Sequence, residues 1–203
     1  MKAVDKHESQ CVKKFTKHCI KQTSQFIGLN ELPPGTQADI YTESASTRYI
    51  AELKNTRKYN IGYMKQYGAL MEKDKLSYLQ DAAHVFELNT LYIRFLKDGW
   101  MAWDVTNIDA STLDVNNYKR KAVKVSNRQF NIKNTEVYLL KWRDAIYIYD
   151  YKGNDVKQQW LDDEETINNA MARIKSRRLN GGINNISTMT TNNISTIPLS
   201  NTY

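Results

Sequence analysis

Between Ala38 and Lys54 the chain reads ADIYTESASTRYIAELK, two runs of alternating apolar and polar residues around a small polar centre. Asp39-Ile40-Tyr41-Thr42 and Tyr49-Ile50-Ala51-Glu52-Leu53 are rich in β-branched and aromatic side chains, so the pattern predicts two antiparallel strands. A turn centred on Ala45-Ser46 sets Glu43 opposite Arg48 and Asp39 opposite Glu52. The period of two then carries Lys54 to the face of Glu52 and turns Leu53 into a core. Asp39, Glu52 and Lys54 converge. Two carboxylates side by side destabilise a sheet, and burying them costs more, unless a cation lies between them.

The rest of the chain predicts helices on either side of further strands. Val12, Phe15, Cys19 and Phe26 recur at helical spacing, giving a long amphipathic helix from about Val4 to Phe26. Phe26–Leu32, FIGLNEL, is the only stretch that could supply a separate strand before the hairpin, and ELPPG at Glu31–Gly35 is a turn. Ile61, Met64, Leu70, Met71 and Leu79 predict a second helix from Asn60 to about Gln80. Thr90–Thr106 reads as a hairpin around Lys97-Asp98-Gly99, and Val137–Tyr151 as another turning near Arg143-Asp144. A last helix is expected over Asp163–Leu179, acidic at its start and basic at its end as the helix dipole prefers. Residues 180–203 carry no charge and are rich in Asn, Thr and Ser, which predicts a flexible tail.

Composition narrows the class. With 203 residues, 41% of them hydrophobic, the chain can bury one sizeable core, so residues 1–179 are expected to form a single domain. There is no apolar run of about 18 residues and no hydrophobic segment of signal-peptide type at the start, so a soluble, cytoplasmic protein is expected. Cys11 and Cys19 are the only cysteines, at a spacing that suits neither a zinc knuckle nor a disulfide framework. The net charge of +7 is concentrated in three places: Lys13, Lys14, Lys17 and Lys21; Asn117–Lys133, with six cations and no acid; and Arg173, Lys175, Arg177 and Arg178. Such clusters lean toward a polyanionic partner, although any one of them reads equally well as a solvated face.

An Asp, a dozen residues, then Glu-x-Lys at a strand end, with helices before and after, resembles the PD-(D/E)XK nuclease superfamily. The residues that carry the resemblance are Asp39 and Glu52-Leu53-Lys54, within roughly Val4–Asp104; Ala38 stands where the name-giving Pro would be. Asp150-Tyr151-Lys152 and Asp155-Val156-Lys157 also fit the second half of the pattern, but only Asp39 and Glu52 pair across a hairpin. The resemblance implies an α/β, restriction-endonuclease-like αβββαβ core, its mixed central sheet flanked by helices and extended by extra hairpins and a C-terminal helix. Hard oxygen ligands select Mg²⁺ or Mn²⁺, which Asp39, Glu52 and the Leu53 carbonyl would hold, while Lys54 would orient or deprotonate the attacking water. Junction-resolving members of the superfamily place an additional acid on the first helix, and Glu8 is the residue that would correspond. Lys65 and Gln66, on the helix after the site, would face the DNA backbone.

The expected function is that of a metal-dependent deoxyribonuclease, an endonuclease acting on DNA, with a homodimer answering the need to cut two strands. The alternative is a non-catalytic nucleic-acid-binding protein that uses residues 119–133, above all Lys119, Arg120, Lys121, Lys124 and Arg128. His7, Cys11 and His18 fall near one helical face but lack a fourth metal ligand. Trp100, Trp103, Tyr147 and Tyr149 alternate within strands and read first as core.

Overall fold

A computed structural model describes residues 3–33, 36, 38–123 and 130–189, with side chains described over 9–116 and 135–176 within that range. The chain divides into two compact units, Met1–Lys157 and Gln158–Tyr203. The first is an α/β unit with a central mixed sheet flanked by helices.

The first helix, α1 (Ala3–Lys14), runs into a π-helical segment, Phe15–Gln22, that buries Phe15, His18 and Cys19. The helix ends at Thr23, short of the expected Phe26, and Ser24 takes a positive φ of 54° that turns the chain into the sheet. Strands β1 (Gly28–Glu31), β2 (Ile40–Glu43) and β3 (Arg48–Asn55) form an antiparallel meander, so the FIGLNEL stretch does supply the first strand. Glu43 pairs with Arg48 and Ile40 with Ala51, the register that the Ala45-Ser46 turn dictates.

The expected helix from Asn60 to Gln80 is two helices interrupted by a strand: α2 (Ile61–Tyr67), β4 (Ala69–Glu72) and α3 (Lys73–Phe86). Gly68 is the breaker, with φ 72° and a Cβ position that would lie 2.9 Å from the Leu140 carbonyl. Leu70 and Met71 therefore lie on a strand rather than a helix face.

β5 (Asn89–Phe95) pairs parallel to β3, the pairing that requires a crossover, and antiparallel to β6 (Gly99–Asp104), the expected hairpin. The expected hairpin over Val137–Tyr151 does not form. Its halves belong to different sheets: β8 (Phe130–Leu140) lies between β4 and β7 (Asp114–Val123), while β9 (Tyr147–Asp150) adds to β6. A single 3₁₀ turn, Trp142–Asp144, carries the chain across, with Trp142 buried. The six-stranded sheet has the order β1-β2-β3-β5-β6-β9 and the smaller one β4-β8-β7. The main core gathers Cys11, Phe15, Cys19 and Phe26 against Ile40, Leu53, Leu91, Ile93, Phe95 and Trp100. Trp100 and Trp103 are fully buried and Tyr149 stacks on Trp100, so these aromatics are core, as their alternation suggests.

Helix α4 (Val156–Met189) begins seven residues before the expected Asp163 and continues past Leu179 through Asn180 to Met189. Residues 180–189, expected in the tail, are helical, and 190–203 lie outside the described residues. Among the described residues no helix is long and apolar enough to cross a membrane.

Candidate active site

Strand β3 is buried from Tyr49 through Leu53, and one of those residues is an acid. Glu52 is only 4% exposed. A carboxylate at such depth is strongly disfavoured unless cations and hydrogen bonds compensate it. Two lysines do so: Lys54 Nζ lies 2.6 Å from Glu52 Oε1, and Lys75 Nζ 3.1 Å from Oε2. Lys54 comes from the same face of the same strand. Lys75 comes from the first turn of α3, which the parallel β3/β5 crossover brings back to the carboxyl end of β3.

Asp39 immediately precedes β2 and is fixed from both sides of its backbone. Its N–H donates to the Ala51 carbonyl at 2.9 Å, and its Oδ2 accepts from the Leu53 N–H at 2.6 Å. Leu53 itself points into the core. Burial, together with the negative charge of Glu52, pushes the Asp39 carboxyl up to about 6, against the Leu53 N–H and the two lysines. Burial pulls the Lys54 ammonium down, but Glu52 outweighs it, and the pKa of Lys54 stands above its ordinary value. Cys11, buried on α1, is pushed up to about 11 by burial and then by the charge of Asp39. The first helix thus lies close enough to Asp39 to feel its charge, while Cys11 itself packs among Ala51 and Leu53, the face of β3 opposite to Glu52. Elsewhere on the helix, Lys14 Nζ donates to Asn55 Oδ1 at 3.1 Å, and Gln10 accepts from Arg57 at 2.7 Å.

The register of β5 adds two residues that the sequence did not suggest. Tyr92 lies beside Glu52, and Arg94 beside Lys54. Arg94 donates to the Leu70 carbonyl at 2.6 Å, while its buried Nε has no hydrogen-bond partner among the described residues. Lys54 and Lys75 flank the Glu52 carboxylate, a mixed-charge cluster in which acids can bind a hard cation and bases can meet a phosphate.

Asp39 and Glu52 supply carboxylate oxygens of the type that Mg²⁺ or Mn²⁺ prefers. Both Glu52 oxygens are held by lysines and Asp39 Oδ2 by the Leu53 N–H, so an ion here would compete with Lys54 and Lys75. Among the described residues no group of three or more His, Cys, Asp or Glu side chains could hold a metal. The Glu8 backbone lies on α1, one turn before Cys11, and its side chain is outside the described set.

Other expected residues fall elsewhere. Lys65 and Gln66 lie on α2, where Lys65 sits 5.3 Å over the Trp142 ring. Lys119, Arg120 and Lys121 are on β7, paired with β8, without described side chains; Lys124 and Arg128 lie outside the described residues. Asp150, from the second Asp-x-Lys, is taken up by the turn after it, accepting from the Lys152 and Asn154 N–H groups at 2.8 and 2.9 Å. His18 bonds Gln22 at 2.7 Å and stacks on Tyr151, which removes it from any site shared with Cys11.

No family model matches the chain, and no curated protein matches it in sequence. Among solved structures it is similar to Hjc, a Holliday junction resolvase from Archaeoglobus fulgidus, at 12% sequence identity and a TM-score of 0.42, over 68% of this chain and 89% of that one.

Proposed function

We propose that the chain is a metal-dependent deoxyribonuclease, an endonuclease that hydrolyses DNA phosphodiester bonds. The observation that carries this reading is the meeting of Asp39 with buried Glu52 at the carboxyl end of β3, with Lys54 and Lys75 on the Glu52 oxygens. Burial, and then the charge of Glu52, push the Asp39 carboxyl up to about 6, so negative charge on this pair is disfavoured as it stands.

Asp39 and Glu52, with the Leu53 carbonyl, would hold Mg²⁺ or Mn²⁺. When bound, the ion supplies charge stabilisation at the scissile phosphate and a more acidic attacking water. Lys54, leaving Glu52, would orient that water or stabilise negative charge building on the phosphate, and Lys75 would meet a non-bridging phosphate oxygen. Glu8 would add a ligand from α1. Lys65 and Gln66 would contact the DNA backbone, as would the basic strand at Lys119, Arg120 and Lys121.

The deciding experiment is cleavage of supercoiled plasmid and of branched DNA by wild type and Glu52→Gln, in Mg²⁺, Mn²⁺ and EDTA. Cutting that requires both the ion and Glu52 is the expected result. Binding without cutting in any of these conditions would overturn it in favour of a non-catalytic nucleic-acid-binding protein. One observation favours that second reading: both Glu52 oxygens are already engaged by lysines.

Cutting two strands would call for two copies, and α4 offers a surface for the second. Ile167, Met171 and Ile174 are exposed on one stripe of the helix. Residues 162–165 before the stripe are acids, while Arg173, Lys175, Arg177 and Arg178 lie along or after it. Two such helices side by side and antiparallel would set acid against base at both ends. Sedimentation at low and high salt tests this pairing; a monomer at both would remove it.

A further inference from the structure

Tyr59, Tyr63 and Tyr67 recur every four residues, one to a helical turn, through the Asn60 cap and α2. Their rings form a row: Tyr59 and Tyr63 are stacked with centroids 4.2 Å apart and 13° between planes, and Tyr67 continues it at 4.6 Å, tilted by 40°. Among the described sheet aromatics, Phe95, Trp100 and Trp103 are fully buried. Here Tyr63 is 39% and Tyr67 52% exposed, so the row leaves large apolar faces in water.

The segment itself is basic, with the Asp98 carboxylate at the start of its helix. From Asn55 to Gly68 the sequence has Arg57, Lys58 and Lys65 and no acid. Lys58 lies 5.4 Å over the Tyr59 ring, and Arg143 lies 4.9 Å over Trp142, the ring that Lys65 also covers. The row is held in place. Asn60 Oδ1 accepts from the Tyr63 N–H at 2.7 Å, Asp98 Oδ1 from the Ile61 N–H at 2.9 Å, and the Tyr59 carbonyl from the Lys97 N–H at 2.9 Å. Ile61 and Met64 are buried beneath it.

Exposed aromatic rings in a row beside lysines and an arginine match the chemistry of unpaired bases. Each base offers a π-face to an aromatic ring while its phosphate meets a lysine or arginine. We infer that Tyr59, Tyr63 and Tyr67 form a stacking platform for single-stranded DNA. Tyr67, at the open end of the row, takes the first base, and Arg57, Lys58 and Lys65 take the flanking phosphates. Tyr59 follows Lys54 by five residues, so the platform begins within roughly 17 Å of that lysine of the candidate site. If the nuclease reading holds, on which this last consequence alone rests, the substrate carries unpaired bases next to the bond that is cut.

The test is anisotropy of a labelled oligo-dT and of a duplex of equal length, in EDTA so that cleavage plays no part. Wild type is compared with Tyr67→Leu, Tyr63→Leu/Tyr67→Leu and Tyr67→Phe. The expected result is a loss of oligo-dT affinity of about 5- to 150-fold per removed ring, little change for the duplex, and full retention by Tyr67→Phe. Equal affinity of wild type and the double Leu variant for oligo-dT overturns the platform, as does a loss in Tyr67→Phe as large as in Tyr67→Leu. The nuclease reading is separately exposed by the Glu52→Gln cleavage assay: a platform that binds beside an inert carboxylate pair, or an active pair without a platform, are distinguishable results.

Discussion

Lys75 reaches across from α3 to take the Oε2 of Glu52, the oxygen left over when Lys54 takes Oε1. The two lysines stand where a divalent ion would compete for the same carboxylate. Lys75 is therefore both a support of the folded protein and a rival of its expected metal.

Replacing Lys75 with Met should separate those roles. Without metal the variant should lose about 1–3 kcal/mol of stability, because a buried carboxylate loses one of two compensating charges. In millimolar Mn²⁺ much of that loss should return, since an ion that binds only the folded state stabilises it by mass action. Urea denaturation with and without Mn²⁺ measures both, and a loss indifferent to Mn²⁺ would count against a metal at Glu52.

Asp39 predicts a pH dependence. Its folded carboxyl keeps its proton up to about pH 6, whereas its ordinary value is 3.8, so the folded state binds more protons between those limits. The stability tied to this group is whole below about pH 4 and is lost as pH rises through 6, by up to about 3 kcal/mol. In metal-free protein, Asp39→Asn should flatten that part of the stability profile. Identical profiles for the variant and wild type would contradict the assignment.

Lys54→Met should lower cleavage about 10²- to 10³-fold while leaving DNA binding in EDTA within a few-fold of wild type, as expected for a group that acts on developing charge. Single-turnover rates beside equilibrium binding separate the two. Matching losses in both would make Lys54 a binding residue.

Gly99→Ala tests the seat of α2. A Cβ there would lie 2.2 Å from the Tyr149 carbonyl and 2.3 Å from Ile61 Cδ1, so both the β6/β9 pairing and the first turn of α2 must shift. A cost of about 1–3 kcal/mol or more is expected from such overpacking. Thermal unfolding would show it, and an unchanged midpoint would mean that the two elements separate freely.

The acidic pair was legible because hairpin geometry is local: alternation, a short polar turn and a period of two are enough to bring Asp39 toward Glu52. Lys75 was not, because only the parallel β3/β5 crossover returns α3 to that strand end, and periodicity does not say which strands will be neighbours. The continuous helical pattern over Ile61–Leu79 concealed β4, whose Leu70 and Met71 fit either period; Gly68 alone marked the break. Val137–Tyr151 misled for a related reason. Two alternating runs joined by a few residues look like a hairpin, and nothing in KWRDA announces that buried Trp142 will send each run to its own sheet. Tyr92 and Arg94 became visible only through the register of β5.

The sequence separations of these contacts have a consequence for how the protein folds. Asp39 and Leu53 are joined across 14 residues, within the reach of a hairpin that closes in microseconds. Glu52 and Lys75 wait on a crossover and a non-local parallel pairing, which come later. During that interval two acids are drawn together with one of their cations missing. The isolated hairpin should therefore open again readily, and a chain still emerging from the ribosome should hold no assembled site until β5 has joined the sheet.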